Sequence, residues 1–172
     1  SQSVADNLKK IEDSVFQAQK RSQSAATKVN IVGVSKLQNL ETIEQGVRAG
    51  IRLLGENYVQ ELQQKIEHFS NEKIEWHLIG PLQSNKAKFV VGVASVIQTV
   101  DRESLAQTLS KLAAEKKVIQ KIMIQVNVAN EDSKSGVSLS LITDLCKKIS
   151  TLPGLKVVGL MTMPPFVEDA EL

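Results

Sequence analysis

The sequence is poor in several features that would tie a chain to a common function. It has one cysteine, Cys146, so no internal disulfide can form. In LITDLCKKI that thiol shares a helical face with Leu141, Ile142, Leu145 and Ile149, which predicts a buried, inert side chain. No apolar run approaches the ~20 residues that a membrane-spanning helix needs. The polar start SQSVADNLKK also lacks the apolar centre of a signal peptide, so the expectation is a cytoplasmic protein with no membrane contact. Charge of neither sign dominates: 21 Lys and Arg against 19 Asp and Glu leave a net +2. With aromatics at 3% and no dense basic stretch around them, nucleic acid is a poor partner. No G-x-G-x-x-G or G-K-[ST] loop follows a predicted strand, which weakens a dinucleotide or nucleoside-triphosphate reading. No histidine, cysteine or carboxylate group has metal-ligand spacing, and no metal is predicted.

What the chain does have is alternation. At 172 residues and 42% hydrophobic content it can build a sizeable core, and no linker or low-complexity tract divides it, so residues 1–172 read as one domain. Short β-branched runs at 29–35, 52–55, 74–79, 95–99, 121–126 and 156–160 predict strands. Segments of helical period at 4–23, 40–49, 58–68, 86–91, 102–117 and 139–150 predict helices, with Asn39, Asn57, Asn85 and Asp101 as candidate caps. Repeated βα units imply an α/β fold around a parallel sheet, and a TIM-type (β/α)8 barrel is the best architecture. Such a barrel wants eight units and this chain supplies six, its PPFVEDAEL end resembling the first turn of a sixth outer helix.

Strand alternation then selects residues that could do chemistry. Val32, Val34 and Lys36 share one face, and Lys36 falls at the strand's C-terminal end, where barrels hold their active sites. A lysine there either snorkels into solvent or is a buried amine whose lowered pKa suits it to attack a carbonyl. Asn57, in GENYVQE, either caps the next helix or contacts a ligand. In EWHLIGPLQSNK, Glu75, His77 and Ile79 face one side and Trp76 and Leu78 the other; His77 points inward, as a structural or a catalytic group. Gln125 and Asn127 turn one face of the fifth strand polar toward its end, which a purely apolar core would not favour. NEDSKSG reads as a solvated turn at Gly136 and, more weakly, as a phosphate cradle with Lys134. Gly159 leaves space on the inner face, and Met161 beside it either fills the core or packs against a flat ring.

The strings VSK, GENYVQE, WHLIGPLQSNK, QVNVANEDSKSG and GLMTM, in this order and spacing, closely resemble the YggS/PROSC family of pyridoxal 5′-phosphate (PLP) homeostasis proteins. The match runs over residues 29–165. The resemblance implies a barrel of the alanine racemase N-terminal-domain type, with PLP as cofactor and Lys36 forming a Schiff base with it. It implies Asn57 beside the cofactor, with His77 and Met161 in the same strand-end pocket. Family members continue through two more strands, with a Ser/Gly-rich phosphate-binding segment and an Arg-Ile-Gly segment, and neither occurs in these 172 residues. The expectation is therefore a truncated chain with two open sheet edges and weakened hold on the phosphate, for which Lys134 and the backbone near Gly136 are the remaining candidates.

Three functions compete. The resemblance implies a non-catalytic PLP carrier acting in intracellular PLP homeostasis, with apo PLP-dependent enzymes as candidate acceptors. The alternative is a PLP-dependent amino-acid racemase or related fold-type III enzyme, which would need a second base opposite the lysine. The third is a cofactor-free Schiff-base aldolase.

Overall fold

The structure is a computed structural model that describes residues 3–22, 28–129 and 134–168. The chain opens with helix α1 (Val4–Arg21), whose start is fixed by a reciprocal box: the Asp6 amide donates to Ser3 Oγ at 3.1 Å and the Ser3 amide to Asp6 Oδ2 at 3.3 Å. Strand β1 (Gly33–Val34) leads to α2 (Leu40–Arg48), capped by Asn39 Oδ1, which accepts from the Thr42 amide at 2.8 Å. Then follow β2 (Leu53–Glu56), α3 (Val59–His68), β3 (Glu75–Leu78), a 3₁₀ helix (Ser84–Phe89) and β4 (Val96–Val100). The rest of the described chain is α4 (Glu103–Lys116), β5 (Gln120–Asn127), β6 (Val137–Ser138), a 3₁₀ turn (Leu139–Leu141), α5 (Ile142–Ser150) and β7 (Leu155–Thr162).

All strand pairs are parallel, in the order β1-β2-β3-β4-β5-β6, with β7 also on β5. The six expected strands are present. The two-residue β6, which pairs with the end of β5 at Val126 and Asn127, was not foreseen because two residues carry no period. Residues 163–168 are not helical, and the expected helical turn at the end otherwise falls on 169–172, outside the described residues.

The sheet has two distinct faces. Leu54, Trp76, Leu78, Ile97, Ile122 and Ile124 turn toward the helices and form the core with Leu62, Phe69, Leu105, Leu109 and Ile149. The Phe69 and Trp76 rings lie 6.1 Å apart, so Trp76 faces the outer layer as alternation requires. Val34, Gly55, His77 and Val96, paired across four strands, form a layer on the other face, which becomes the inside of the curved sheet. Bulges keep the faces in phase: three steps on β4, from Ile97 to Val100, match two on β5, and Gly159 rather than Val158 meets Met123. Cys146 is half-buried rather than fully buried, because α5 covers the core with Leu145 and Ile149 while Leu141 is exposed.

Candidate functional site

The inner face at the C-terminal strand ends holds three of the four sequence-predicted residues. Lys36 follows Val34 in alternation: the Ser35 amide still donates to Gly55 O at 3.0 Å, and Leu37 then leaves the strand with φ +59°. That break leaves Lys36 as the last inward side chain of β1. It is exposed, and it makes no hydrogen bond or ion pair with any described residue. The expectation of a desolvated amine here is not met. β1 is paired on one side alone among the described residues, and Val34 beneath Lys36 is itself 53% exposed.

Gly55 lies between β1 and β3, and what it lacks shapes the face. A Cβ there would sit 2.9 Å from Ile79 Cδ1 and 3.2 Å from Val32 Cγ1, so these side chains close over the glycine as an apolar floor. His77 is buried and gripped at both nitrogens. The Gln98 amide nitrogen donates to Nδ1 at 2.7 Å, which assigns the proton to Nε2, and that N–H donates to Glu75 Oε1 at 3.1 Å. Met161 is half-buried on the same face, in register with buried Gln125. Beside it a Cβ on Gly159 would find nothing within 4 Å, so this side of the face is open.

Asn57 is placed differently. It does not cap α3, whose N-cap is Tyr58 with no side-chain bond; the chain turns one residue later than the cap expectation requires. Asn85 and Asp101 also fail as caps: Gln83 precedes the 3₁₀ helix and Arg102 precedes α4, again without side-chain bonds. The Asn57 backbone presses against Gly80, where any Cβ would collide with it. With Tyr58, Glu61, Pro81 and Lys86, Asn57 lines a cavity of about 540 Å3 bounded by the segments that follow β2 and β3.

The fallback phosphate contact is already committed. Gly136 adopts φ +119°, and its amide donates to Asp101 Oδ2 at 3.1 Å. Its neighbours Asn130 to Ser133 lie outside the described residues. Among the described residues no metal-ligating cluster occurs, and no helix is long and apolar enough to cross a membrane.

Sequence reasoning missed the most buried charges in the chain. Glu56 is fully buried and Lys65 is 5% exposed, and both lie under α3. Lys65 Nζ donates to Glu56 Oε1 at 2.6 Å, Ser35 O at 2.7 Å and Glu61 Oε2 at 2.8 Å, which uses all three ammonium protons. Ser35 Oγ donates to Glu56 Oε1 at 2.6 Å, while Glu56 Oε2 has no partner. Glu61 also accepts from the Leu37 amide at 3.1 Å. The hydrogen bond from Lys65 is the main reason the Glu61 carboxyl is held below its usual range; Leu37 adds to this and burial opposes it. The available signal was Glu61 and Lys65 at i,i+4 behind a strand-end glutamate.

Comparison with known proteins follows this geometry. The alanine racemase N-terminal domain family model matches residues 1–171. The pyridoxal phosphate homeostasis protein of Pasteurella multocida is 39% identical over 168 residues, covering 96% of this chain and 72% of the relative. The chain belongs to the pyridoxal phosphate homeostasis protein family. A second member, from Aquifex aeolicus, is 34% identical over 98% of this chain and 74% of its own length. Among solved structures, PipY of Synechococcus elongatus with PLP bound superposes with a TM-score of 0.76 at 31% identity, covering 90% of this chain and 72% of PipY. The family's fold extends to more distant proteins: alanine racemase of Clostridium difficile has a TM-score of 0.65 at 11% identity, over 88% of this chain and 40% of the racemase.

Proposed function

We propose that the chain is a cytoplasmic carrier of PLP, which holds the cofactor covalently on Lys36 and acts in PLP homeostasis, yielding it to apo PLP-dependent enzymes without turning over amino acids. The observation that carries this reading is the position of Lys36: the last inward side chain of β1, beside the apolar floor over Gly55, with no competing partner. The names of the Pasteurella and Aquifex relatives and the PLP bound to PipY support the same cofactor. When bound, PLP supplies an aldehyde that condenses with an amine, releasing water, and a pyridine ring that can accept electrons.

The residues present fit the ring and the aldehyde. Lys36 offers the amine; Val34, Val32 and Ile79 offer an apolar surface, and Met161 a polarizable one beside the open space at Gly159. His77 favours carriage over racemisation. Its Nε2 proton is given to Glu75 and its Nδ1 lone pair is taken by Gln98, so it is held as a positioning group and is not free as a second base.

The test pairs a PLP titration followed by visible absorbance with measurement of α-proton exchange on several amino acids. The carrier reading expects a saturable band in the wild type, none in Lys36→Ala or Lys36→Arg, and no catalytic exchange. Sustained exchange that depends on Lys36 would convert the reading to the enzyme alternative.

A further inference from the structure

Lys36 has no side-chain partner, so the direction of its long, flexible side chain depends on how its backbone is held. Both neighbours are held by one buried network. Ser35 donates its amide to Gly55 O and its hydroxyl to Glu56 Oε1, and its carbonyl accepts from Lys65 Nζ. Leu37 sits at φ +59°, a conformation that L-residues disfavour, and its amide donates to Glu61 Oε2. Lys65 joins the two sides, because the same ammonium binds Ser35 O, Glu56 Oε1 and Glu61 Oε2.

We infer that Lys65, with Glu56 and Glu61, is a positioning residue for Lys36: through Ser35 and Leu37 it splints the end of β1 so that Lys36 projects in one direction over the inner face. The inference rests on Lys36 being the PLP attachment point. Packing alone does not require this network. Leu62, one turn earlier on α3, fills the same layer with a fully buried apolar side chain, and an apolar residue at 65 could do likewise. What an apolar residue could not do is bind a strand-end carbonyl and two carboxylates at once. The arrangement also explains why both carboxylates face the helix side of the sheet rather than the Lys36 side: they act on the backbone, not on the cofactor.

The test uses the double variant Glu56→Gln/Lys65→Met, which removes both buried charges together and leaves no orphan. Lys116→Met is the control, since Lys116 also binds backbone carbonyls, those of Lys88 and Val91, remote from Lys36. Two quantities are read on the full chain: amide hydrogen exchange at Leu37 by NMR, and the rate at which PLP plus borohydride places mass on Lys36. In the double variant the Leu37 amide should exchange at least ~10-fold faster, and the Lys36 rate should fall roughly 10- to 100-fold, the scale expected of a misplaced reacting group. Lys116→Met should change neither. A folded double variant with wild-type values of both overturns the inference. Should the double variant not fold, Glu61→Ala, which removes the Leu37 acceptor from a partly exposed position, decides by the same Leu37 readout. No mass on wild-type Lys36 would sink the carrier reading itself, and Leu37 exchange would then decide the splint alone.

Discussion

Replacing Lys65 by methionine keeps most of the side-chain volume under α3 and removes the one cation there, leaving Glu56 fully buried with Ser35 Oγ as its single hydrogen-bond partner. Three charge-assisted bonds are lost, at 2.6, 2.7 and 2.8 Å. At ~1.5–3 kcal/mol each, their gross loss is about 5–9 kcal/mol. Part of this is returned because the ammonium no longer has to be desolvated, which brings the net to the ~3–5 kcal/mol typical of a broken buried pair. Against a total stability of ~5–15 kcal/mol, that is severe without always being fatal. With a urea slope of about 2 kcal/mol/M, the unfolding midpoint should drop by roughly 2 M. Adding Glu56→Gln neutralises the orphan, and the double variant should recover to within about 1–2 kcal/mol of wild type, since neutral replacement of a buried pair is often well tolerated. The assay is urea unfolding of wild type, both single variants and the double, followed by helical circular dichroism. A Lys65→Met midpoint equal to wild type, or a double variant no more stable than the single, would refute the reasoning.

Trp76→Ala should cost about 3–5 kcal/mol in the same assay, because it empties a site against Phe69, whereas His77→Ala should stay folded and alter the absorbance of bound PLP. Gly55→Ala should weaken PLP binding more than it weakens the fold, since the new methyl pushes on the flexible ends of Ile79 and Val32 over the inner face; unchanged affinity by titration would place the cofactor elsewhere. Because the Glu61 carboxyl is held below its ordinary value of 4.5, its contribution is complete above that pH and is lost as pH falls through the lowered folded value. The Leu37 amide should lose protection over that acidic range, and Glu61→Gln should flatten the dependence.

The sheet and its helices were legible because each predicted strand carries a two-residue period and each helix a longer one. EWHLIG shows this well: Trp76 and Leu78 face the helices while His77 faces inward, as alternation alone dictates. Caps were less legible. Asn39 caps α2, but Asn57, Asn85 and Asp101 each missed by a residue or two, because several polar residues compete near those turns and sequence does not decide which one the chain uses. The site was legible in direction but not in environment. Alternation placed Lys36 on the inner face, but its exposure depends on how many strands flank β1, which no local pattern encodes. The buried lysine is Lys65, whose polar neighbours Gln63 and Gln64 disguise a position that tertiary contacts with Ser35 and Glu56 bury.

The most direct test of the account is to incubate the chain with PLP, reduce with borohydride and map the added mass by peptide mass spectrometry. The account predicts one dominant modified residue, Lys36, with the mass absent from that peptide in Lys36→Ala. Mass distributed over surface lysines with Lys36 unmodified, or undiminished fixation of PLP in Lys36→Ala, would contradict it.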